Sequence, residues 1–287
     1  MNIKNYVLEK PFDYKKHSSI GSGGYAPVAY YPKTVNELAE LVNALETERI
    51  PFTVLGNLTN VLPPDGESQT QIISTKLLAD IEQTENGIYA LAGVKSGALL
   101  KACKLWGLSG VELLEGIPCT LGGALYMNAG VSGNYIASVV ESVSILRAGK
   151  LIVLEKNDCE YAYKSSVFMR KNDVIAGARL KLEKTSAETV CENVLRYREK
   201  RAHLPKGKSM GCVFKNPENA IAGKLIEGAG LKGLRVGGAV VSSAHANFII
   251  NDGNATSEQI KTLIQLMKNA VFAQYKIRLE EEIRYLR

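Results

Sequence analysis

The amino-acid sequence predicts an α+β fold built from two lobes. Three observations support this prediction: short β patterns mix with helical patterns in the first 184 residues, the composition changes after that point, and a long amphipathic helix lies near the C-terminus. With 287 residues, 46% of them hydrophobic, the chain is long enough to bury a sizeable core in one large or two modest domains. We predict a first lobe over 1–184, with subdomains at about 1–65 and 66–184, and a second lobe over 185–287.

The first lobe opens with a β/α unit. Thr34-Val35-Asn36-Glu37 has the pattern of a capping box, and apolar residues then recur at helical spacing as far as Leu45. The run 52–55 follows Pro51 and ends at Gly56, which predicts a strand. A helix is predicted over 96–106, and a Gly-rich stretch covers 107–133. Further strands are predicted at 72–73, 88–91, 143–146, 151–154 and 174–182.

The second lobe is predicted to hold helices near both of its ends. A helical stretch reaches Arg201, and a Gly-rich region follows the loop around Leu204-Pro205. The capping box 256–259 opens a long helix whose apolar stripe ends at Val271. A strand is predicted over 279–286. Its two faces would carry Leu279, Ile283 and Tyr285 on one side and Glu280, Glu282 and Arg284 on the other.

Charge and composition exclude several classes of function. The net charge of +6 favours anionic ligands, but the basic residues are too few and too dispersed to require a nucleic acid as partner. No apolar run approaches the ~18 residues of a membrane span, and segment 1–16 has charges where a secretory leader is apolar, so we expect a cytoplasmic protein. The five cysteines are widely spaced without a C-x-x-C pair, which predicts reduced thiols and neither disulfides nor a metal site.

Three glycine-containing segments are candidates for contact with a phosphorylated ligand. Segment 21–26 matches the dinucleotide pattern G-x-G-x-x-A, but no hydrophobic strand precedes it, so we interpret it as a turn and expect no Rossmann fold. Segment 56–60 follows a strand and offers backbone amides to a pyrophosphate, although taken alone it is better read as an ordinary turn. Segment 115–124 has paired glycines that permit close approach of a flat or phosphorylated ligand, with a purely structural turn as the alternative.

Four single residues have ordinary explanations when each is considered alone. A free cysteine such as Cys212 is usually a small buried hydrophobe. Glu282 and Lys164 are typical of charges on a solvated surface, and His245 is typical of a structural histidine.

Five segments, taken together and in order, resemble the UDP-N-acetylenolpyruvoylglucosamine reductases of bacterial cell-wall synthesis. The resemblance begins at about Ser19 and covers nearly the whole chain. The absence of a large insertion in the second lobe is similar to the compact subtype of that family. The segments are GIP at 116–118 with GGALYMNAG at 122–130, GCVFKNP at 211–217, AGKLIE at 222–227 with GLKG at 230–233, HANFIIN at 245–251, and LEEE at 279–282.

The resemblance implies a specific fold and reaction. The first lobe would be a vanillyl-alcohol-oxidase-type FAD-binding lobe of two subdomains, and the second an α+β substrate lobe. In the family reaction NADPH reduces FAD, hydride passes to the β-carbon of an enolpyruvyl ether on a sugar nucleotide, and a proton arrives at the α-carbon. The product is UDP-N-acetylmuramate. We expect a monomer that acts on a small molecule. The rival interpretation is a divergent, non-catalytic paralogue that binds flavin or a sugar nucleotide.

The resemblance also implies roles for residues that match the family's motifs. Cys212 matches the proton donor, and a thiol is a reasonable acid because its reference pKa is ~8.5. Glu282 matches a catalytic acid, and Lys164 stands where the family ordinarily has Arg, which keeps the charge but loses bidentate recognition. Asn216 and His245 align with substrate contacts. The expected cofactor residues are Gly56, Asn57, Thr59, Asn60, Pro118, Thr120, Gly122 and Gly123. Leu58 and Cys119 depart from the family, which usually has Gly at both places.

Overall fold

The computed structural model describes residues 6–131 and 133–286, which form two compact units. The first unit contains the chain up to Glu9 together with Val28–Asn57 and Gln71–Ala202. The second contains Lys10–Pro27, Leu58–Thr70 and the chain from His203 onward. This division differs from the predicted boundaries at 65/66 and 184/185. The reason is packing: Val194 lies against the core of the first unit, whereas Ile20 and Leu62 are buried in the core of the second.

Two sheets form the framework of the first unit. A five-stranded antiparallel sheet has the order Lys150–Glu155, Val140–Arg147, Val174–Lys181, Gly87–Leu91 and Ile81–Thr84. A four-stranded mixed sheet has the order Val7–Glu9, Ala29–Tyr31, Gln71–Ser74 and Phe52–Leu55. Two smaller antiparallel pairs join Leu108–Ser109 to Glu183–Lys184 and Gly130–Val131 to Asn134–Tyr135. The predicted strands of the first lobe are therefore confirmed.

Four α-helices complete the first unit: Val35–Thr47, Ser96–Trp106, Leu121–Met127 and Ala187–Arg201. The predicted helix start at Thr34 is confirmed, because the Thr34 hydroxyl accepts the N–H of Glu37 at 3.1 Å. The Glu37 carboxylate accepts the N–H of Lys33 at 2.6 Å. Short 3₁₀ turns lie at Thr75–Leu77, Glu112–Leu114, Ile136–Ser138, Lys156–Cys159 and Val167–Met169.

The second unit has one long helix and very short strands. The helix Ser257–Tyr275 begins with both hydrogen bonds of the predicted capping box, between Thr256 and Gln259. The Asp65 carboxylate also accepts the N–H groups of Ser257 (2.6 Å) and Glu258 (2.9 Å). The other elements are the helices Tyr14–His17 and Ala222–Gly228, the three-stranded sheet Arg235–Val236, Ala239–Val241, Ile249–Asn251, the antiparallel pair Phe12–Asp13 and Tyr25–Ala26, and the parallel pair Val61–Leu62 and Arg284–Tyr285.

The prediction of a continuous strand over 279–286 is wrong. Only Arg284–Tyr285 pairs as a strand, and Glu281 forms an isolated bridge with Phe214. Leu279 and Ile283 are buried as expected, but Tyr285 is 41% exposed. The alternation breaks because this segment pairs first with 214–215 and then with 60–62, instead of with one partner strand.

Residues 21–24 form an irregular connection, and residues 25–26 form a two-residue strand, so no helix begins at this glycine pattern. All five cysteines are free thiols. Among the described residues, no helix combines the length and apolar character needed to cross a bilayer, and no three His, Cys, Asp or Glu side chains gather as metal ligands would.

Candidate functional site

Two of the predicted cofactor segments lie against each other in the first unit. The Asn57 side chain donates through Nδ2 to the carbonyl of Pro118 at 2.8 Å, across 61 residues of sequence. A Cβ added to Gly56 would lie only 2.2 Å from Thr120 Oγ1. Glycine at position 56 is therefore required by the close approach of the two loops.

The turn at 120–123 is fixed from one side by the segment 92–94. The N–H groups of Leu121 and Gly122 donate to the carbonyls of Val94 and Ala92, both at 2.8 Å. The Thr120 hydroxyl accepts the N–H of Gly123 at 3.3 Å and caps the helix Leu121–Met127. A Cβ on Gly123 would have only Thr120 Oγ1 within 4 Å, at 3.5 Å, so this part of the turn leaves room for a ligand.

The loop 57–60 has the backbone character expected of an anion-binding turn. Within residues 6–131 and 133–286, no carbonyl or side chain accepts a hydrogen bond from the N–H groups of these four residues. Leu58 adopts φ +51°, a left-handed conformation that bends successive amides toward one side of a turn. These features fit the pyrophosphate of FAD.

Packing accommodates Leu58 and Cys119, the two residues that stand where the family usually has Gly. The left-handed conformation of Leu58 costs about 1–2 kcal/mol in a non-glycine residue, but its side chain is only 4% exposed, and its burial offsets that cost. Cys119 is also buried, and burial raises the pKa of its thiol to about 11, so the thiol is protonated at neutral pH. Its backbone carbonyl accepts the N–H of Ser96 at 3.0 Å.

Lys164 belongs to the first unit, where it lies in a tight turn. Backbone hydrogen bonds in both directions between Ala162 and Ser165 close the turn, and Lys164 itself has φ +51° and is half-buried. The buried Asn128 donates to the carbonyl of Ala162 at 2.8 Å, and Ser166 donates to the carbonyl of Tyr126 at 2.7 Å. The turn that presents Lys164 is thus anchored to the 122–130 segment.

The structure brings Cys212 and Glu282 onto paired backbone segments of the second unit. The N–H of Glu282 donates to the carbonyl of Val213 at 2.8 Å, and the N–H of Lys215 donates to the carbonyl of Glu280, also at 2.8 Å. Cys212 itself forms a bridge with Phe248 on the other side. Both Cys212 and Glu282 are half-buried. The two predicted catalytic residues, 70 positions apart (282 − 212), are therefore connected through the single residue Val213.

Asn60, a predicted cofactor residue, binds the backbone of the Glu282 segment. It belongs to the second unit, as does Thr59, whereas Gly56 and Asn57 belong to the first. Its side chain donates to the backbone carbonyl of Glu282 at 3.1 Å, and its carbonyl accepts the N–H of Arg284 at 2.9 Å. Asn60 thus holds the Glu282 segment in addition to the bond with Val213.

The two predicted substrate residues also lie in the second unit. The Asn216 Oδ1 accepts the N–H of Ala222 at 3.0 Å, at the start of the helix Ala222–Gly228. His245 accepts the N–H of Asn247 at Nδ1 (3.3 Å), so in the neutral ring Nε2 carries the proton and can donate. Burial, together with the nearby His203, lowers the pKa of His245 and favours this neutral form.

Sequence reasoning gave no role to the buried amides that hold these segments. Asn128 and Asn247 are each 3% exposed and lie in segments that carry the family resemblance. The sequence did offer one sign of this role, which is the asparagine within each of those segments. An amide side chain that becomes buried must form hydrogen bonds. Their partners are backbone groups distant in sequence, which no local pattern reveals.

Comparisons with known proteins match both units. A FAD binding domain model matches residues 26–154, and the model of the C-terminal domain of UDP-N-acetylenolpyruvoylglucosamine reductase matches residues 202–286. The UDP-N-acetylenolpyruvoylglucosamine reductase of Alkaliphilus oremlandii is 34% identical over 285 residues, which cover 97% of this chain and 92% of the relative. That of Listeria monocytogenes is 36% identical over 275 residues, which cover 94% and 92%.

A solved structure agrees with these relatives. The crystal structure of the reductase from Thermus caldophilus is similar with a TM-score of 0.85 and 31% identity, and covers 98% of this chain and 100% of that one. The predicted α+β fold, with a FAD-binding lobe followed by a C-terminal lobe, is confirmed. On this evidence the chain belongs to the UDP-N-acetylenolpyruvoylglucosamine reductase family.

Proposed function

We propose that this chain is an FAD-dependent reductase that uses NADPH to convert UDP-N-acetylglucosamine enolpyruvate to UDP-N-acetylmuramate in peptidoglycan synthesis. The observation that carries the proposal is the identity of 34–36% to named reductases over nearly the whole chain. The pairing of the Cys212 and Glu282 segments supports it, because a non-catalytic paralogue has no need to keep both groups. No finding favours the paralogue.

The cofactor would be held mainly by backbone groups. We assign this role to Gly56, Asn57, Thr59, Asn60, Pro118, Thr120, Gly122 and Gly123. When bound, FAD accepts hydride from NADPH and passes it to the β-carbon of the enolpyruvyl group. The loop 57–60 supports this assignment, since its amides have no acceptor among the described residues and suit a pyrophosphate.

The chain's own side chains would supply the charge stabilisation and the proton. As hydride reaches the β-carbon, negative charge develops on the carboxylate-bearing unit, and Lys164 provides a point charge for that carboxylate. Glu282, as the proposed catalytic acid, would donate a hydrogen bond to the developing charge. Cys212 then gives its thiol proton to the α-carbon and is left as a thiolate.

The remaining roles concern the sugar nucleotide. Asn216 and His245 would contact the substrate, His245 as a neutral donor through Nε2, since its Nδ1 accepts the Asn247 N–H. We also propose that the chain acts as a monomer in the cytoplasm, where free thiols such as its five cysteines persist.

An anaerobic flavin experiment tests the function. The purified protein should show the absorbance of bound FAD, lose it when NADPH is added, and regain it when the enolpyruvyl sugar nucleotide is added. Recovery with the substrate but not with UDP-N-acetylglucosamine, which lacks the vinyl ether, is the expected result. Flavin that bleaches but is never reoxidised by the substrate would support the paralogue instead. Protein that binds no FAD when it is offered in excess would contradict the reductase and would leave only a paralogue that binds a sugar nucleotide.

A further inference from the structure

The side chain of Asn247 binds both backbone groups of Phe214, which lies two residues after the proposed proton donor. The N–H of Phe214 donates to Asn247 Oδ1 at 3.0 Å, and Asn247 Nδ2 donates to the carbonyl of Phe214 at 2.8 Å. The backbone adds a third bond, from the N–H of Val213 to the carbonyl of Asn247 at 2.8 Å. Asn247 is 3% exposed and Phe214 1%, so water does not compete for these groups.

The same peptide segment connects to two other proposed site residues. The carbonyl of Val213 accepts the N–H of Glu282 at 2.8 Å. The N–H of Asn247 donates to His245 Nδ1 at 3.3 Å. One asparagine therefore contacts the Cys212 segment directly, Glu282 through one peptide group, and His245 through its own amide.

Cys212 lies directly beside the backbone that Asn247 holds. The N–H of Val213, the next residue after Cys212, donates to the carbonyl of Asn247. Cys212 itself forms a bridge with Phe248, the residue that follows Asn247. A shift of residues 213 and 214 therefore moves the backbone that carries the Cys212 thiol.

We propose that Asn247 is a positioning residue for proton delivery, which acts by fixing the peptide groups of Val213 and Phe214 and thereby the Cys212 thiol. The inference rests on the proposed function, because it takes Cys212 as the proton donor. A misplacement of about 1 Å at a reacting group slows a step by about 10²-fold, so loss of this grip should affect the step that consumes the proton.

The test separates the two half-reactions in the FAD-loaded protein. Asn247→Asp keeps the shape and the acceptor for the Phe214 N–H but loses the donor to its carbonyl. Bleaching of the flavin by NADPH needs no proton from Cys212, so its rate should stay within about threefold of the parent's. Reoxidation by the enolpyruvyl sugar nucleotide should be about 10- to 100-fold slower, with an increased solvent deuterium isotope effect.

Asn251 provides a matched control. Its buried side chain also binds backbone, donating to the carbonyls of Ile20 and Gly21 and accepting from Ala255, but none of these groups adjoins Cys212. Asn251→Asp should lower the melting temperature comparably and leave the ratio of the two half-reaction rates unchanged. A purely structural role for Asn247 predicts the same behaviour in both variants, and that result would overturn the proposal.

A double variant makes the test independent of stability. If Asn247 acts through the thiol, adding Asn247→Asp to Cys212→Ala should slow reoxidation no further than Cys212→Ala alone. The inference would be refuted if the double variant were slowed by the product of the factors measured for the two single variants. If the Asn247→Asp protein does not fold, the Asn247→Ser protein is measured in the same way, because a serine side chain is small enough for the site. If the substrate does not reoxidise the flavin of the parent protein, that result would instead count against the proposed function.

Discussion

The two units of the molecule hold their proposed functional groups in different ways. In the first unit, strands of up to eight residues and glycine turns shape the backbone around Gly56 and Thr120. In the second unit, strands of two or three residues are too short to fix a segment by a ladder. Side-chain amides and carboxylates grip the backbone there: Asn60, Asp65, Asn247 and Asn251. The first unit also uses such amides, at Asn57 and Asn128, but its longer strands hold more of its backbone. The loss of a single side-chain hydrogen bond should therefore have a larger effect in the second unit.

The largest effect is expected from Glu282, in the segment 279–286 of the second unit. Glu282→Gln keeps the size of the side chain and an N–H donor but loses the acidic O–H, which is a much stronger donor to the developing charge, and it should slow flavin reoxidation by the substrate about 10²- to 10⁴-fold. Glu280→Gln is the control, since Glu280 is exposed and pairs with Lys215 at 2.6 Å. Rapid-mixing absorbance under anaerobic conditions measures both rates. Equal slowing in the two variants would mean that the segment tolerates no change at all and that Glu282 has no special role.

An intermediate effect is expected from the glycine turns of the first unit. Gly56→Ala places a methyl group 2.2 Å from Thr120 Oγ1, so the hydroxyl must leave its capping position. We expect a loss of about 1–3 kcal/mol in the free energy of unfolding and about tenfold weaker FAD binding. Titration of the apoprotein with FAD and denaturant unfolding measure the two quantities.

Gly97→Ala is the matched control for that substitution. Gly97 is exposed in the helix Ser96–Trp106, and a Cβ there would meet no atom within 4 Å. This variant should bind FAD normally and gain roughly 0.5–1 kcal/mol of stability from helix propensity. FAD binding that weakens equally in both variants would show that the contact between the two loops is not the cause.

The smallest expected effect concerns the protonation of His245. Burial and the charge of His203 lower its pKa below the ordinary 6.5, so the folded protein binds fewer protons there than the unfolded chain does. The stability that comes from keeping His245 neutral is fully present above pH 6.5. It is lost as the pH falls through the pKa of His245 in the folded protein. His245→Gln should flatten that part of the stability profile. NMR titration of the three histidines should assign a pKa below 6.5 to the resonance missing from the variant.

The same contrast between units explains which features the sequence reveals. Apolar periodicity and capping residues predicted the helices at 35–47, 96–106 and 257–275 and all long strands, because these elements bury regular stripes. The strand predicted at 279–286 failed because Leu279 and Ile283 are buried by two different partners. Motif resemblance identified Cys212 and Glu282. Their connection through Val213, and the grip of Asn247, depend on tertiary hydrogen bonds that sequence spacing does not encode.

The most direct test of the account is a single-turnover measurement of flavin reoxidation at Cys212 variants. The reduced protein would be mixed with the enolpyruvyl sugar nucleotide without oxygen, and the return of oxidised flavin followed. We predict that Cys212→Ala slows this step by about 10²- to 10⁴-fold, whereas Cys212→Ser, which keeps a proton on a similar side chain, stays much nearer the parent rate. Reoxidation of Cys212→Ala at the parent rate would contradict the assignment of the proton donor.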